Sequence, residues 1–414
     1  MVDNAAVTMS SSLRDIIGSY RDDLPLAEAS TIPASWYTDT RVHDLERRTV
    51  FPRAWMPVCR AEQLSTAGSF VTLDLAGEPL VIVRGTDGQV RGFFNVCRHH
   101  AAAVVTSSDG VASQFRCPYH GWTYALDGSL KGTPDFGGVC NFDRGANGLV
   151  PVDTDVWEGW VFARIDGGGP ALRDWLGADL VDRIQRLELE RYRWVERRTY
   201  SLACNWKVFV DNYLDGGYHV PHVHKGLDSV LDYSDYTVEN GVRFCLQSSP
   251  LVQEGAQPDV AALRAGDRAS YYWVYPAFML NVYGTAMDTN IVIPRGVDRT
   301  DVVFDFFFSD PAEQQKSRAP TFAASPTSAF ADAPADKTAD KTAGKPSPEA
   351  RAPSDRAASI TLSQQIQDED VAICESVQRG LASRAYAAGR LSVRREAGEW
   401  LFHRLLSADL KRGL

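Results

Sequence analysis

The chain has 414 residues, of which 44% are hydrophobic, and its formal net charge is −10. This length exceeds what one hydrophobic core usually serves, so two domains are expected. The negative charge argues against a nucleic-acid partner, no apolar run reaches the roughly twenty residues of a membrane-spanning helix, and the first twenty residues lack a basic region followed by an apolar stretch. We therefore expect a globular protein of the cytoplasm with no membrane partner.

The first half of the chain predicts a leader followed by a β domain. Residues 1–45 are mixed and polar, and one short helix is expected around residues 12–20. Strand patterns follow at 70–73, 80–83, 90–96 and 156–165, with Asp-Gly turns at Asp87 and Asp127. Three glycines and Pro170 then mark a boundary. The first domain is therefore expected over residues 46–166 and the second over 167–414.

Two short motifs lie in loops of the predicted β domain. They are Cys97-Arg98-His99 and, after seventeen further residues, Cys117-Pro118-Tyr119-His120. Two thiolates and two imidazoles in this pattern are the ligand set of a Rieske [2Fe-2S] centre, with the thiolates on one iron and the histidines on the other. A Cys2His2 zinc site is the alternative. The other cysteines are expected to be buried thiols of a reducing compartment: Cys59, Cys140, Cys204, Cys245 and Cys374.

The second half mixes helical and strand patterns. Helical material is expected at 172–190 and a strand at 198–202, and apolar residues recur at helical spacing between Cys204 and Gly217. Gly216, Gly217 and Pro221 should end or kink that helix. Strands are then predicted at 271–274, 278–282, 290–293 and 302–308, a low-complexity, disordered insertion at 312–358, and a last helix at 359–388.

His219 and His224 follow the predicted kink and suggest a second metal site. Two histidines and one carboxylate can hold a mononuclear Fe(II) and leave positions open for O2 and substrate. Asp370 is the best carboxylate, because it falls on an apolar stripe of the last helix and a buried charge needs a partner or a metal. That stripe consists of Ile366, Ile373, Val377 and Leu381. A buried Asp satisfied by a protein group is the alternative, and His222 is a weaker candidate ligand.

These residues together resemble the Rieske non-haem iron oxygenases, in particular the choline monooxygenase-like group of ring-hydroxylating oxygenase α subunits. The matching stretches are Cys97 to His99, Cys117 to Trp122, Asn205 to His224, Met287 to Asn290 and Glu369 to Leu381. The resemblance implies an α+β protein: an all-β Rieske [2Fe-2S] domain and a helix-grip (START-like) catalytic domain with an antiparallel sheet and helices. It also implies that Cys97, His99, Cys117 and His120 bind the cluster and that His219, His224 and Asp370 bind the iron.

The same resemblance implies a homotrimer, in which the cluster of one subunit faces the iron of its neighbour and a carboxylate bridges the two histidine sets. The family's usual bridging acid falls on Gly216, so we assign the bridge to Asp215 and keep Asp211 as the alternative. His100 replaces a common Arg after the first motif. Gly284-Thr285-Ala286 stands where choline-type enzymes have a Trp. The absence of this Trp would remove one wall of a quaternary-ammonium cage.

The sequence therefore predicts the oxygenase component of a Rieske system. Electrons from NAD(P)H would arrive through a separate reductase or ferredoxin, since the chain has no Gly-rich dinucleotide fingerprint. O2 would be used to hydroxylate or N-demethylate a small substrate such as choline or a betaine. Asn212 would line the iron pocket, and five aromatic residues would shape the substrate cavity: Tyr213, Tyr271, Tyr275, Phe278 and Tyr283. The alternatives are an aromatic ring dioxygenase α subunit, an electron carrier without oxygenase activity, and a zinc-stabilised module.

Overall fold

The structure is a computed structural model that describes residues 11–224, 233–251, 268–309 and 352–414. Its helices within those ranges are α1 Leu13–Gly18, α2 Ala34–Thr38, α3 Thr40–Thr49, α4 Leu172–Leu176, α5 Ala178–Gln185, α6 Trp206–Leu214, α7 Val220–Val223, α8 Ala352–Leu381 and α9 Ala397–Arg412. None of these helices is both long enough and apolar enough to cross a membrane.

The strands of the described residues form two large antiparallel sheets and one small one. The first ten are β1 Met56–Arg60, β2 Ser69–Leu75, β3 Glu78–Arg84, β4 Val90–Phe94, β5 Asp109–Val111, β6 Phe115–Arg116, β7 Thr123–Tyr124, β8 Leu130–Gly132, β9 Pro151–Trp157 and β10 Trp160–Arg164. The other seven are β11 Tyr192–Leu202, β12 Thr237–Asn240, β13 Phe244–Pro250, β14 Arg268–Val274, β15 Phe278–Tyr283, β16 Ala286–Gly296 and β17 Arg299–Ser309.

The N-terminal sheet has the order β1-β10-β9-β4-β3-β2-β5, and the small sheet β6-β7-β8 packs with β2, β3 and β4 around a second core. The predicted strands at 70–73, 80–83 and 90–96 are confirmed as β2, β3 and β4. The prediction of one strand over 156–165 was wrong. Glu158 and Gly159 have φ of 49° and 87°, so the chain reverses there and forms the hairpin of β9 and β10.

The C-terminal sheet has the order β11-β17-β16-β15-β14-β13-β12 and supports helices α6 and α8. The expected strands at 271–274, 278–282, 290–293 and 302–308 all lie inside its members. The expected fold class, an all-β unit joined to an antiparallel sheet with helices, is confirmed. The domain boundaries at 45, 166 and 167 remain predictions.

The N-terminal segment is more structured than a leader with one helix. Helix α1 agrees with the prediction, whereas α2 and α3 were not predicted, and their buried residues Trp36 and Val42 join the main core. Glu46 of α3 is fully buried and accepts hydrogen bonds from Lys207 Nζ at 2.6 Å and Trp206 Nε1 at 2.8 Å. This contact fixes the N-terminal helices to α6.

The end of the chain also differs from the expectation. Helix α8 begins at Ala352 and ends at Leu381, so its first turns occupy residues that were assigned to the insertion, and residues 312–351 of that insertion lie outside the described residues. Helix α9 was not predicted. Among the cysteines expected to be buried, Cys140 is exposed, while Cys59, Cys204, Cys245 and Cys374 are buried as expected.

Candidate metal centres

The two cysteine motifs form matching loops, one after β4 and the other between β6 and β7. In each loop the cysteine N–H donates to the carbonyl of the residue five positions later, and the N–H of the residue four positions later donates to the cysteine carbonyl. These bonds join Cys97 to Ala102 (2.8 Å) and Ala101 (2.9 Å), and Cys117 to Trp122 (2.8 Å) and Gly121 (3.0 Å). The residues four positions after each cysteine, Ala101 and Gly121, have φ of 59° and 72°. This left-handed turn closes each loop around its cysteine.

The four predicted cluster residues, two from each loop, lie close together. The rings of His99 and His120 are 4.7 Å apart between centroids. Cys97 Sγ lies 3.3 Å from Tyr124 Oη. Burial raises the pKa of Cys117, whereas the nearby backbone N–H groups of Tyr119 and His120 act to lower it. Neither thiol is in a disulfide. Backbone donors to sulfur are expected where a thiolate ligates iron.

One histidine nitrogen of this group is in an unfavourable state without a metal. His99 stacks on Trp122 with the ring centroids 4.7 Å apart and the planes at 6°. Its Nδ1 is buried and has no hydrogen-bond partner among the described residues. Leaving a buried polar atom unpaired costs about 1–3 kcal/mol, so a metal bound at this nitrogen resolves an otherwise costly burial. The residues present therefore fit a [2Fe-2S] cluster.

The second predicted metal set is also assembled. His219 precedes α7, His224 follows it, and Asp370 belongs to α8. Asp370 Oδ1 lies 3.0 Å from His224 Nε2 and 3.8 Å from His219 Nε2. One potential ligand atom from each residue lies within 4.8 Å of the other two. The expected constellation of two histidines and one carboxylate therefore exists in the fold.

Both histidines have a carboxylate behind the ring. His219 Nδ1 is 2.6 Å from Asp215 Oδ2, and His224 Nδ1 is 2.7 Å from Glu369 Oε2. Burial alone would lower the pKa of His224, but hydrogen bonds and charges from Asp370 and Glu369 raise it. Such carboxylates hold the Nδ1–H tautomer and leave Nε2 as the ligand atom. The residues thus fit a mononuclear metal ion.

Local sequence explains how the two histidines reach α8. The Asn205 side chain caps α6 by accepting the Lys207 N–H, and the helix ends at Leu214. Gly216 and Gly217 then adopt φ of 69° and 68°, and a Cβ on Gly216 would lie only 2.1 Å from the Arg395 carbonyl oxygen. The predicted helix break is confirmed, and only glycine fits it without strain.

The two candidate bridging acids lie in different surroundings. Asp215 Oδ2 accepts the backbone N–H of His219 at 3.0 Å in addition to the Nδ1 contact. Asp211 lies close to Tyr37 Oη and His403 Nε2, at 2.5 and 3.0 Å. Neither of these belongs to the candidate iron ligands His219, His224 and Asp370, which we call the iron set. The geometry favours Asp215 as the acid next to the iron histidines.

The reason given for choosing Asp370 was only partly right. Ile373 and Val377 of the predicted apolar stripe are 36% and 43% exposed in the single chain, so this stripe is not buried along its length. Asp370 is half-buried because it lines a cavity, and Asn212 Nδ2 donates to its Oδ1 at 2.8 Å. The predicted position of Asn212 in the iron pocket agrees with this contact.

The cavity beside the proposed iron ligands is open to solvent and has an empty volume of about 830 Å³ with that open space included. Its described lining includes Phe209, Tyr213, Tyr236, Gln247, Tyr271, Asn281, Tyr283, Asp288, Asn290, Phe304, Ile366 and Gln367. Three of the five aromatic residues expected there are present. Tyr275 instead donates to Asp409 Oδ2 at 2.6 Å, and the ring of Phe278 packs in the core against Trp160.

Several lining residues were missed by the sequence reasoning. Asn281 and Tyr283 alternate on β15, and Asp288 and Asn290 alternate on β16, so each pair points to one face. Asn281 Nδ2 donates to Asp288 Oδ1 at 2.7 Å, and both residues are buried. Polar residues at alternate positions of an apolar strand were the signal that could have identified this wall.

Comparisons with known proteins agree with this architecture. Residues 54–143 match the Rieske [2Fe-2S] domain, and residues 189–411 match the catalytic domain of the ring-hydroxylating α subunit. The chain is 35% identical to choline monooxygenase, chloroplastic, of Arabidopsis thaliana, over 97% of this chain and 88% of that protein. It is 31% identical to the carnitine monooxygenase oxygenase subunit of Escherichia coli K12, over 70% of this chain and 78% of that protein.

Among solved structures, a quaternary ammonium Rieske monooxygenase, described for carnitine oxidation and inter-subunit electron transfer, superposes with a TM-score of 0.75. It is 25% identical, and the match covers 94% of this chain and 98% of that one. Proteins of this family use a Rieske cluster and a mononuclear iron and act with a reductase or ferredoxin. The fold, the two assembled ligand sets and the family matches show that this chain belongs to the Rieske ring-hydroxylating oxygenase α subunits and is an iron-dependent oxidoreductase.

Proposed function

We propose that the chain oxidises a small quaternary ammonium compound, by hydroxylation or by N-demethylation. The observation behind this is the lining of the cavity at the iron set: four tyrosine rings, the carboxylates of Asp288 and Asp370, and no Lys or Arg among its described residues. Aromatic faces and carboxylates attract a methylated cation. The tyrosines Tyr213, Tyr236, Tyr271 and Tyr283 supply aromatic walls that compensate for the missing Trp.

The polar groups of the cavity lining also suggest an order among the candidate substrates. A carnitine or betaine brings a carboxylate that needs a donor, and the described lining offers amides and hydroxyls but no cationic side chain for it. A choline-like cation with a hydroxyl group makes no such demand. We therefore place choline-like cations before carboxylated ones, in agreement with the higher identity to the choline monooxygenase of Arabidopsis.

Seven residues are the proposed ligands of the cluster and of the mononuclear iron. Cys97 and Cys117 bind one iron of the cluster, and His99 and His120 bind the other. His219, His224 and Asp370 bind the mononuclear iron, which when bound activates O2 with electrons from the cluster. Asp215 and Glu369 hold the two histidine tautomers through Nδ1.

The remaining residues hold the side chains of the site in position. Asn212 fixes the orientation of the Asp370 carboxylate through its amide. Tyr213 donates to Asn281 Oδ1 at 2.6 Å, which in turn orients Asp288 on the cavity wall. These contacts hold the walls before substrate arrives, so binding does not need to order them.

We further propose a homotrimer in which Asp215 connects His219 to a cluster histidine of the next subunit. The exposed side chains support this: Tyr119 beside the cluster loops is 63% exposed, and Tyr218 beside His219 is 49% exposed. A subunit interface that includes both side chains would remove these aromatic surfaces from water.

The seven unbridged cysteines support a reducing compartment such as the cytoplasm. Electrons would come from an NAD(P)H-dependent reductase or ferredoxin.

A single-turnover experiment tests the activity without the reductase. Protein with a chemically reduced cluster and loaded Fe(II) is mixed with O2 and choline, glycine betaine, carnitine or naphthalene, and products are identified by mass. We expect oxygen insertion or methyl loss with an ammonium compound, and more product from choline than from carnitine. A diol from naphthalene alone would assign the chain to the aromatic dioxygenases. Cluster oxidation without any product would contradict the proposed substrate class.

A further inference from the structure

A second group of metal-binding residue types lies outside the site described above. Asp211 of α6 comes close to Glu399 and His403 of α9, which share one helix face four residues apart. His403 Nε2 is 3.0 Å from Asp211 Oδ1 and 3.8 Å from Glu399 Oε1. The potential ligand atoms of the three residues all lie within 4.8 Å of one another.

Two distances between potential ligand atoms in this group equal two of those among His219, His224 and Asp370. There too, one pair of potential ligand atoms is separated by 3.0 Å and a second pair by 3.8 Å. Donor atoms bound to a single ion at about 2.1 Å lie roughly 3.0–3.4 Å apart. Small movements therefore bring either set to its metal-bound spacing.

Glu399 provides an independent indication that something is bound there. Its side chain is 9% exposed, and none of the described residues donates a hydrogen bond to it. It lines a cavity of about 620 Å³ together with Asp211, Tyr37 and Cys374. A buried carboxyl group without a donor is costly, and a cation at the position that it faces would remove this cost.

The donor set identifies the kind of cation. Two carboxylates and one imidazole carry a formal charge of −2, and this mixture of oxygen and nitrogen suits first-row divalent metals, whereas calcium and magnesium prefer oxygen alone. Tyr37 Oη donates to Asp211 Oδ2, which leaves Oδ1 directed toward His403. The adjoining cavity has room for water molecules that complete the coordination.

We propose that Asp211, Glu399 and His403 form a second mononuclear metal site, which binds a first-row divalent cation behind α6. The ion connects α6 to α9 directly and to α2 through Tyr37. Since Asn212 of the same helix contacts Asp370, the second ion also stabilises the helix that positions the first site. This role is structural and is separate from the proposed oxidation, so it does not depend on the substrate.

Mn2+ binding measures the site directly. The purified protein is treated with a chelator that leaves the cluster in place, dialysed against MnCl2, and its bound Mn2+ is counted by electron paramagnetic resonance. We expect two ions per chain in the wild type. The H219A variant, which lacks the first set, should retain one, and H219A/E399Q should bind at least tenfold more weakly. Adding Mn2+ should raise the thermal midpoint of H219A but not that of H219A/E399Q.

Glu396→Gln in the H219A background is the matched control, because Glu396 is a half-buried carboxylate one turn before Glu399 that lies outside the three-residue set. It should leave one ion bound. H403Q provides a second variant of the proposed set, and the visible absorption of the cluster verifies that each variant is folded. The proposal is overturned if H219A binds no Mn2+, or if E399Q and H403Q bind it as tightly as the control does. A wild type that binds one ion, lost in E399Q but kept in H219A, would support this site and contradict the assignment of the first.

Discussion

At the scale of single residues, the proposed iron ligands His219 and His224 each have a carboxylate behind the ring. Asp215 and Glu369 each occupy the Nδ1 of one histidine, at 2.6 and 2.7 Å, and thereby fix which nitrogen is free to bind. The two contacts are not equivalent, because Asp215 also accepts the backbone N–H of His219 and Glu369 has no comparable contact with His224. Glu369 is therefore the cleaner position at which to test the role of the carboxylate.

Replacing Glu369 by Gln should lower the affinity for iron by roughly 10–100-fold, because the amide no longer strengthens the basicity of His224. The measurement is Fe(II) binding to protein stripped of its mononuclear iron but retaining its cluster. Asp368→Asn is the control, since the neighbouring Asp368 is exposed and contacts Gln364 of its own helix. Equal affinity of the two variants would show that Glu369 does not orient a ligand.

The candidate metal ligands could be selected from the sequence because their spacing is local. Spacing between Cys97, His99 and the second motif, and between His219 and His224, is visible in the chain itself. Asp370 was selected by a stripe that is partly exposed, so its position beside His219 and His224 was anticipated through an incomplete argument. Glu369 was judged to lie at the edge of that stripe, and its contact with His224 depends on how two distant helices pack, which spacing along one helix does not reveal.

At the scale of elements, the break between α6 and α7 sets the geometry of the iron set. Gly216→Ala should cost at least about 2 kcal/mol in unfolding free energy, because the left-handed backbone and the close Arg395 carbonyl both oppose a Cβ. The variant should also lose mononuclear iron, since the strain is relieved by moving His219. Thermal unfolding and iron counting per chain measure the two effects.

Gly380→Ala provides the opposite expectation in the same protein. Gly380 is exposed in α8 and a Cβ there meets no atom within 4 Å, so alanine should stabilise the helix by about 0.5–1 kcal/mol. If Gly216→Ala behaved like Gly380→Ala, the turn would not be constrained as the structure shows.

Elements were predicted well where strands pair with neighbours in sequence and poorly where long-range packing decides. The hairpins from β14 to β17 follow the apolar pattern, so their strands were expected. Helices α2 and α9 were not, since they pack against elements distant in sequence: α2 against α8, and α9 against α3, α6 and β12. The hairpin of β9 and β10 was missed because Glu158 and Gly159 resemble a polar interruption within one strand, although both have positive φ.

At the scale of the whole molecule, one buried ion pair joins the N-terminal helices to the catalytic half. Lys207 and Glu46 are both fully buried, with Nζ and Oε1 separated by 2.6 Å, and Glu46 also accepts the Trp206 indole N–H. Burial lowers the pKa of Lys207, and the adjacent Glu46 partly opposes this. The pair holds α3 on α6, the helix that supplies Asn212.

Lys207→Met should destabilise the protein by about 3–5 kcal/mol, because it leaves the Glu46 carboxylate buried without its cation. The double variant Lys207→Met/Glu46→Gln should recover most of this loss, since the amide is uncharged and its oxygen still accepts from Trp206. The thermal unfolding midpoints of the wild type and both variants, measured with the cluster intact, give the order. A double variant no more stable than Lys207→Met would mean that the lost amine packing, and not the unpaired charge, causes the destabilisation. In that case the ion pair would not be what fixes the N-terminal helices to the iron domain.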